Sequence, residues 1–182
     1  MEADLAALGQ RLKARRQACR LSLDGVARET GVSKAMLGQI ERGESTPTVA
    51  TLWKIASGLR VPMSYFLAPG LSPASRSSIP WHQDASGMTV QPLFAFDPGL
   101  GFEMFVIDLP QGTLSESPPH APGIVEHVVV IEGAMELAIE GQWHRLEAGD
   151  AMRFAADRPH AYRNLDASRA RIHDLIHYPA GM

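Results

Sequence analysis

Apolar residues recur at helical spacing through the first third of the chain and at short-strand spacing through the rest. Leu5, Leu8 and Leu12 form the stripe of a first helix. Ser22 is a good N-cap for a second helix, in which Leu23, Val26 and Ala27 put small and apolar groups on one face. Gly31 can take the left-handed conformation that ends this helix and turns the chain. Ser33 then caps a third helix with Met36, Leu37 and Ile40 at helical spacing, closed by Gly43. Thr48 caps a fourth, carrying Val49, Leu52, Ile55, Ala56 and Leu59. Val61-Pro62 opens a last short turn ending at Tyr65-Phe66-Leu67. About five helices in about 65 residues are enough for a small all-helical core.

The texture changes after Pro69–Pro80, PGLSPASRSSIP, whose prolines and serines mark a linker and not an element. The expected organisation is a helical domain over 1–68, a linker over 69–80 and a second domain over 81–182. In the second domain Met88–Phe96, Gly101–Leu109, Ile124–Glu132, Met135–Glu140, Trp143–Leu146, Ala151–Ala155 and Ala170–Tyr178 are short, apolar-rich and separated by Gly, Pro or Asp. That spacing predicts an all-β sandwich or barrel. The fold class expected is therefore multidomain, α followed by all-β.

The whole-chain charge of −3 says nothing about nucleic acid, but its distribution does. Residues 1–68 hold ten Lys/Arg against six Asp/Glu, and residues 69–182 hold seven against fourteen. A basic first part beside an acidic second part fits a DNA-binding module joined to one that does not bind DNA. The single cysteine, Cys19, allows no intrachain disulfide and suits a reducing cytoplasm. The chain opens without the basic-then-apolar form of a signal peptide, and no apolar run of 18 residues exists to span a membrane.

The run from Leu8 to Leu67 resembles the XRE family of phage-repressor-type helix-turn-helix domains. The resemblance rests on Ala27, Gly31, Val32-Ser33, Ile40-Glu41, Gly43, Pro47, Leu52 and Ile55-Ala56. It implies that the segment from about Lys34 to Arg42 enters the major groove of an operator. Lys34, Ala35 and Gln39 are then placed toward the bases, where Lys donates to guanine, Gln pairs with adenine and Ala touches a thymine methyl. Ser22, Thr46 and Thr48, near helix starts, suit phosphate oxygens, and Arg42 adds a phosphate contact. The resemblance also implies an internal pair between Arg16 and Glu41. One departure is Leu23: many members carry Gln there, and Leu cannot make that hydrogen bond.

Two later stretches resemble the cupin family, a small jelly-roll barrel. The first is His120-Ala-Pro-Gly-Ile-Val-Glu126, followed six residues later by Gly133; the second begins at Gly141 and runs through Gly149-Asp150 to Pro159-His160 and Asn164. The family carries two histidines one residue apart, a glutamate and a later histidine, all aimed at a metal. His120, Glu126 and His160 fall on three of these positions, and Pro122, which cannot coordinate, on the fourth. Two histidines and one carboxylate can hold Zn(II), Fe(II) or Mn(II) with positions left open. Alternatively, the histidines serve a metal-free pocket for an organic ligand. His127 is a rival to Glu126, but neighbouring strand residues face opposite sides, and the gap to Gly133 fits Glu126 better. Arg153 and Tyr162 can contact a ligand if they face inward. His173 and His177, four apart on a strand, are too distant to share an ion.

Together these readings lead to a cytoplasmic transcription regulator that binds double-stranded operator DNA, forms a homodimer and senses a small effector in its barrel, with no membrane partner. The resemblance implies an effector such as an amino acid, a polyamine or a sulfur compound. The alternative is an enzyme, a cupin dioxygenase or isomerase fused to a DNA-binding domain.

Overall fold

The computed structural model describes residues 2–67, 82–83 and 87–179, with side chains from residue 6 onward. The expected linker over 69–80 and the side chain of Leu5 lie outside this set. The helical part comprises α1 (Glu2–Ala18), α2 (Leu23–Thr30), α3 (Lys34–Glu41), α4 (Val49–Gly58) and α5 (Ser64–Leu67). Its helix starts are fixed by local chemistry. The hydroxyls of Ser22, Ser33 and Thr48 accept from the backbone N–H groups of Gly25, Met36 and Thr51, satisfying donors that a helix cannot pair itself. Gly31 takes φ 69° beyond α2, as a turn of this hand requires. Arg42 is the C-cap of α3, and Gly43 follows it in the left-handed region at φ 72°.

Packing of α1 onto α3 is close enough to need a glycine. A Cβ on Gly9 would stand 2.4 Å from the carbonyl oxygen of Ile40. Beside this contact Arg16 spans from α1 to Glu41 with two parallel hydrogen bonds, Nε to Oε1 at 2.7 Å and Nη2 to Oε2 at 2.8 Å. The expected Arg16–Glu41 pair is therefore present, and it holds the end of α3 against α1.

The second part is two antiparallel sheets. The larger contains β1 (His82–Gln83), β2 (Thr89–Asp97), β3 (Phe102–Leu109), β5 (Val125–Glu132), β8 (Ala151–Ala155) and β10 (Ala170–His177), ordered β1-β2-β3-β10-β5-β8. The smaller contains β4 (Leu114–Ser117), β6 (Ala134–Ile139), β7 (Gln142–Glu147) and β9 (His160–Arg163), ordered β4-β9-β6-β7. Side chains alternate inward and outward, as on β10, where Ile172, Asp174 and Ile176 are buried. The seven expected strands are all present within a residue or two. Three others, β1, β4 and β9, were not expected, and two of them carry residues of the site.

The two parts share one apolar core, which runs from Leu8 through Trp53 and Phe66 to Phe105 and Ile176. Glu103 on β3 is wholly buried at this junction. Its carboxylate accepts from the backbone N–H groups of Met63 and Ser64, each at 2.9 Å, and from the Tyr178 hydroxyl. The Ser64 hydroxyl in turn accepts from the backbone of Phe96 at 3.0 Å. The start of α5 is thereby hydrogen-bonded to the barrel wall.

Candidate metal centre and nucleic-acid interface

Lys34, Ala35 and Gln39 are all exposed on α3, and Met36 beside them is 36 % exposed. Leu37 and Ile40 on the opposite face are buried. This division is what a helix needs if one face holds the core and the other is to reach DNA. Lys34 pairs with Asp24 at 2.8 Å and Arg42 with Glu44 at 2.7 Å, all four side chains more than half exposed. Exposed pairs of this kind contribute little and yield readily to a phosphate. Ser22 and Thr46 are exposed and Thr48 is half-buried, with the hydroxyls of Ser22 and Thr48 engaged as caps. Leu23, the family departure, packs against the core, and a Cβ on Gly38 of α3 would stand 3.9 Å from its Cδ1. The side chain therefore helps seat the second helix of the motif on the first.

Inside the barrel, His120, Glu126 and His160 are brought together from three separate places: the loop before β5, the second residue of β5 and the first of β9. Their candidate ligand atoms all lie within 4.8 Å of one another, and all three residues are buried. Glu126 is inward-facing and 1 % exposed, while its neighbour His127 lies on the other face of β5, as strand alternation requires. His120 Nε2 lies 2.8 Å from Glu126 Oε1, and the Tyr162 hydroxyl donates to Glu126 Oε2.

The geometry of His160 suits a metal ligand. Its Nδ1 lies 2.8 Å from the carbonyl oxygen of Arg158 and so carries the proton as donor. Its Nε2 is left as a bare, buried lone pair without a hydrogen bond, 3.6 Å from Glu126 Oε1. Metal-ligating histidines are commonly oriented in this way, through the nitrogen that does not bind the ion. Burial holds the His160 pKa below its usual value, overcoming the attraction of Glu126, which keeps the ring neutral. Burial also pushes the Glu126 carboxyl upward. The hydrogen bond from His120 more than offsets this and leaves it below its usual range. Glu126 as a carboxylate and His160 with a bare Nε2 are in the state that a divalent cation requires, while His120 Nε2, which donates to Glu126, would give up its proton or turn on binding. The donor set fits such an ion.

Four residues that the sequence reading did not single out complete the site. Ser115 and Ser117 on β4, Asp174 on β10 and Trp53 on α4 line the same small cavity as Glu126, His160 and Tyr162. Asp174 is 4 % exposed, and its Oδ1 has no hydrogen-bond partner. Burial and the nearby charges of Glu126 and Glu103 hold its pKa well above the usual range. A signal for Asp174 was available: on an Ile-x-Asp-x-Ile strand it is the one acid on an otherwise apolar face. Arg153 does not join the site. It pairs in register with the outward-facing His127 and is exposed, so the expectation that it contacts a ligand inside the barrel is corrected. Tyr162 does face inward, at 8 % exposure.

The chain matches the helix-turn-helix family over residues 12–66 and the cupin domain family over residues 105–176. It is 50 % identical over 172 residues to the HTH-type transcriptional regulator SutR of Escherichia coli strain K12, an alignment covering 94 % of this chain and 95 % of SutR. A crystal structure of an HTH_3 family transcriptional regulator from Vibrio cholerae superposes with a TM-score of 0.85 at 42 % identity, covering 98 % of each chain. The cupin domain of an XRE family transcriptional regulator from Enterobacter cloacae is 51 % identical, with a TM-score of 0.50, and covers 50 % of this chain and 97 % of its own. Motif, fold and full-length similarity agree: the chain belongs to the XRE-type helix-turn-helix transcriptional regulators that carry a cupin domain.

Proposed function

We propose that this transcriptional regulator binds its operator conditionally, under control of a small effector held in the barrel through a divalent metal. The metal, Zn(II), Fe(II) or Mn(II), sits on His120, Glu126 and His160 and leaves coordination positions open for the effector. Bound there, it would supply a Lewis-acidic anchor. Tyr162 orients Glu126, and Arg158 fixes the ring of His160 through its carbonyl. The observation that carries this reading is the bare Nε2 of His160 beside a buried carboxylate.

In the same reading α3 lies in the major groove with Lys34, Ala35 and Gln39 at base edges. Ser22, Arg42, Thr46 and Thr48 meet phosphates. The chain acts in the cytoplasm as a homodimer, which places two α3 helices about 34 Å apart on successive half-sites. No helix among the described residues is long and apolar enough to cross a membrane. An effector shifts operator affinity only by its differential affinity for two arrangements of the heads.

An enzymatic reading draws on the same open metal positions. The inner cavity, of about 20 Å³, has room for roughly one water molecule and admits neither a substrate nor an organic effector while α4 is in place. Native mass spectrometry of the purified protein, followed by operator binding before and after chelation, tests the proposal. A bound metal and a change in affinity on its removal are expected. A protein that carries neither metal nor metabolite, with operator affinity indifferent to chelator, would overturn it. Oxygen uptake with candidate substrates would move the assignment to the enzyme.

A further inference from the structure

The wall of the inner cavity includes Val49 and Trp53, which belong to α4 of the DNA-binding domain. The indole of Trp53 is stacked on the imidazole of His120, with ring centroids 4.5 Å apart and planes 28° from parallel. It also meets Phe105 of β3 edge-on at 6.5 Å. On the other side of this stacked pair lies an open cleft of about 460 Å³, lined by Trp53, Lys54 and Ser57 of α4 and by Pro118, Pro119 and His120 of the barrel. The cleft is of a size that holds small molecules, whereas the inner cavity of about 20 Å³ is not. Trp53 lines both, and it is 7 % exposed. The Trp53–His120 pair is the partition between them.

We infer that the effector site is built from both domains and that Trp53 is its movable wall. The inference rests on the proposed function above. An effector larger than a single ion cannot reach His160 and Asp174 while the indole lies on His120. Moving Trp53 joins the cleft to the inner cavity. The joined site ends in a bare imidazole nitrogen and an unpartnered carboxyl oxygen, with Ser115 and Ser117 beside them. No Lys or Arg lines its inner end. Its ligand is therefore a small molecule that presents hydrogen-bond donors, or coordinates the metal, at one end and an apolar or flat body along the cleft. Because Trp53 is part of α4, its displacement loosens the seat of α4 on the barrel. Helix α4 packs on α2, the first helix of the DNA-binding motif. Ligand occupancy and the placement of the recognition helix are coupled through the packing of α4 on α2 and of α2 on α3, and this coupling does not depend on the linker.

The test is a double-mutant cycle in the full-length chain, with operator affinity as the readout. The operator is selected from a pool of random duplexes by the wild-type protein. Trp53→Ala and His120→Ala are each expected to change operator affinity about fivefold or more, the lower end of ordinary coupling between sites. The double variant is expected to behave as Trp53→Ala alone. A merely structural role for Trp53 within the helical core would leave the two effects independent. Additive effects, or an unchanged affinity in His120→Ala, overturn the inference. Trp53→Phe, which keeps a ring in the core, replaces Trp53→Ala if that variant does not fold. Native mass spectrometry of the same wild-type protein separates the two levels. A non-additive cycle in a protein without metal rejects the metal centre and keeps Trp53 as the coupling residue. A wild-type protein that selects no duplex rejects the DNA-binding reading, and the inference with it.

Discussion

The helical domain and the barrel use their polar side chains differently. In the helical domain the capping and pairing groups are taken up by structure: three hydroxyls cap three helices, and Arg16 and Glu41 satisfy each other. In the barrel His160 Nε2 and Asp174 Oδ1 are buried with no partner, beside Glu126 at 1 % exposure. An unpaired buried polar group costs about 1–3 kcal/mol, and it persists where a ligand or function compensates for it. The helical domain presents exposed groups on a finished scaffold, and the barrel keeps an unfinished interior.

The sharpest break of this comparison is at the candidate metal centre. His160→Ala removes a proposed ligand and should lower affinity for Zn(II) or Mn(II) more than about 100-fold, beyond the usual effect of an outer-shell change, as read by titration calorimetry. Retained affinity would show that the bare nitrogen serves something other than an ion. On the helical side, Glu41→Ala strands the Arg16 guanidinium and should destabilise the chain by about 2–3 kcal/mol in urea unfolding. A change under about 0.5 kcal/mol would mean that the pair is ornamental, as surface pairs often are.

Gln39→Ala should cost roughly 1–3 kcal/mol on the selected operator and little on random DNA. Equal losses on both would assign Gln39 to the phosphates, and no loss would remove it from the reading set. Ser33→Ala, which removes the cap of α3, should cost about 1 kcal/mol of stability and leave metal binding unchanged. A concurrent loss of metal affinity would show that the two domains are less separable than their polar chemistry suggests.

The smallest effect is a pH dependence. Burial and the neighbouring charges raise the Asp174 pKa in the folded chain above its unfolded value. Its contribution to stability is then fully present below the unfolded carboxylate pKa and is lost as pH rises through the folded one. Asp174→Asn stays neutral and should flatten that loss. Melting curves in the presence of chelator, from about pH 4 to about pH 8, spanning the ordinary carboxylate pKa and well above it, would show the difference. Parallel curves for the variant and the wild type would mean that Asp174 does not bind its proton more tightly on folding.

Much of the fold was legible because its signals are local. A serine three residues before the N–H it accepts from, or a glycine at the end of a helix, acts within a few residues of chain. Thus Ser22, Ser33, Thr48 and Gly31 could be read directly. Strand β4 could not. Its pattern is inverted: Leu114 is 52 % exposed while Ser115 and Ser117 face inward, so a search for alternating apolar residues passes over it. Strand β9 is four residues long, too short for a periodic signal, although both His160 and Tyr162 on it had been singled out. Arg153 illustrates the remaining limit. A two-residue period says that it shares a face with Ala151 and Ala155, but not which face is inside.

The sequence by itself determined the two kinds of architecture, the helix-turn-helix and the His120, Glu126 and His160 triad. Capping, hydrophobic period and motif spacing are properties of neighbouring residues. Only the tertiary structure decided what surrounds that triad. Asp174 approaches it from β10, placed by strand pairing within the barrel, and Trp53 from α4, placed by packing of one domain against the other. Spacing along the chain carries no information about such contacts, because they are set by how apolar faces close on one another once the elements exist.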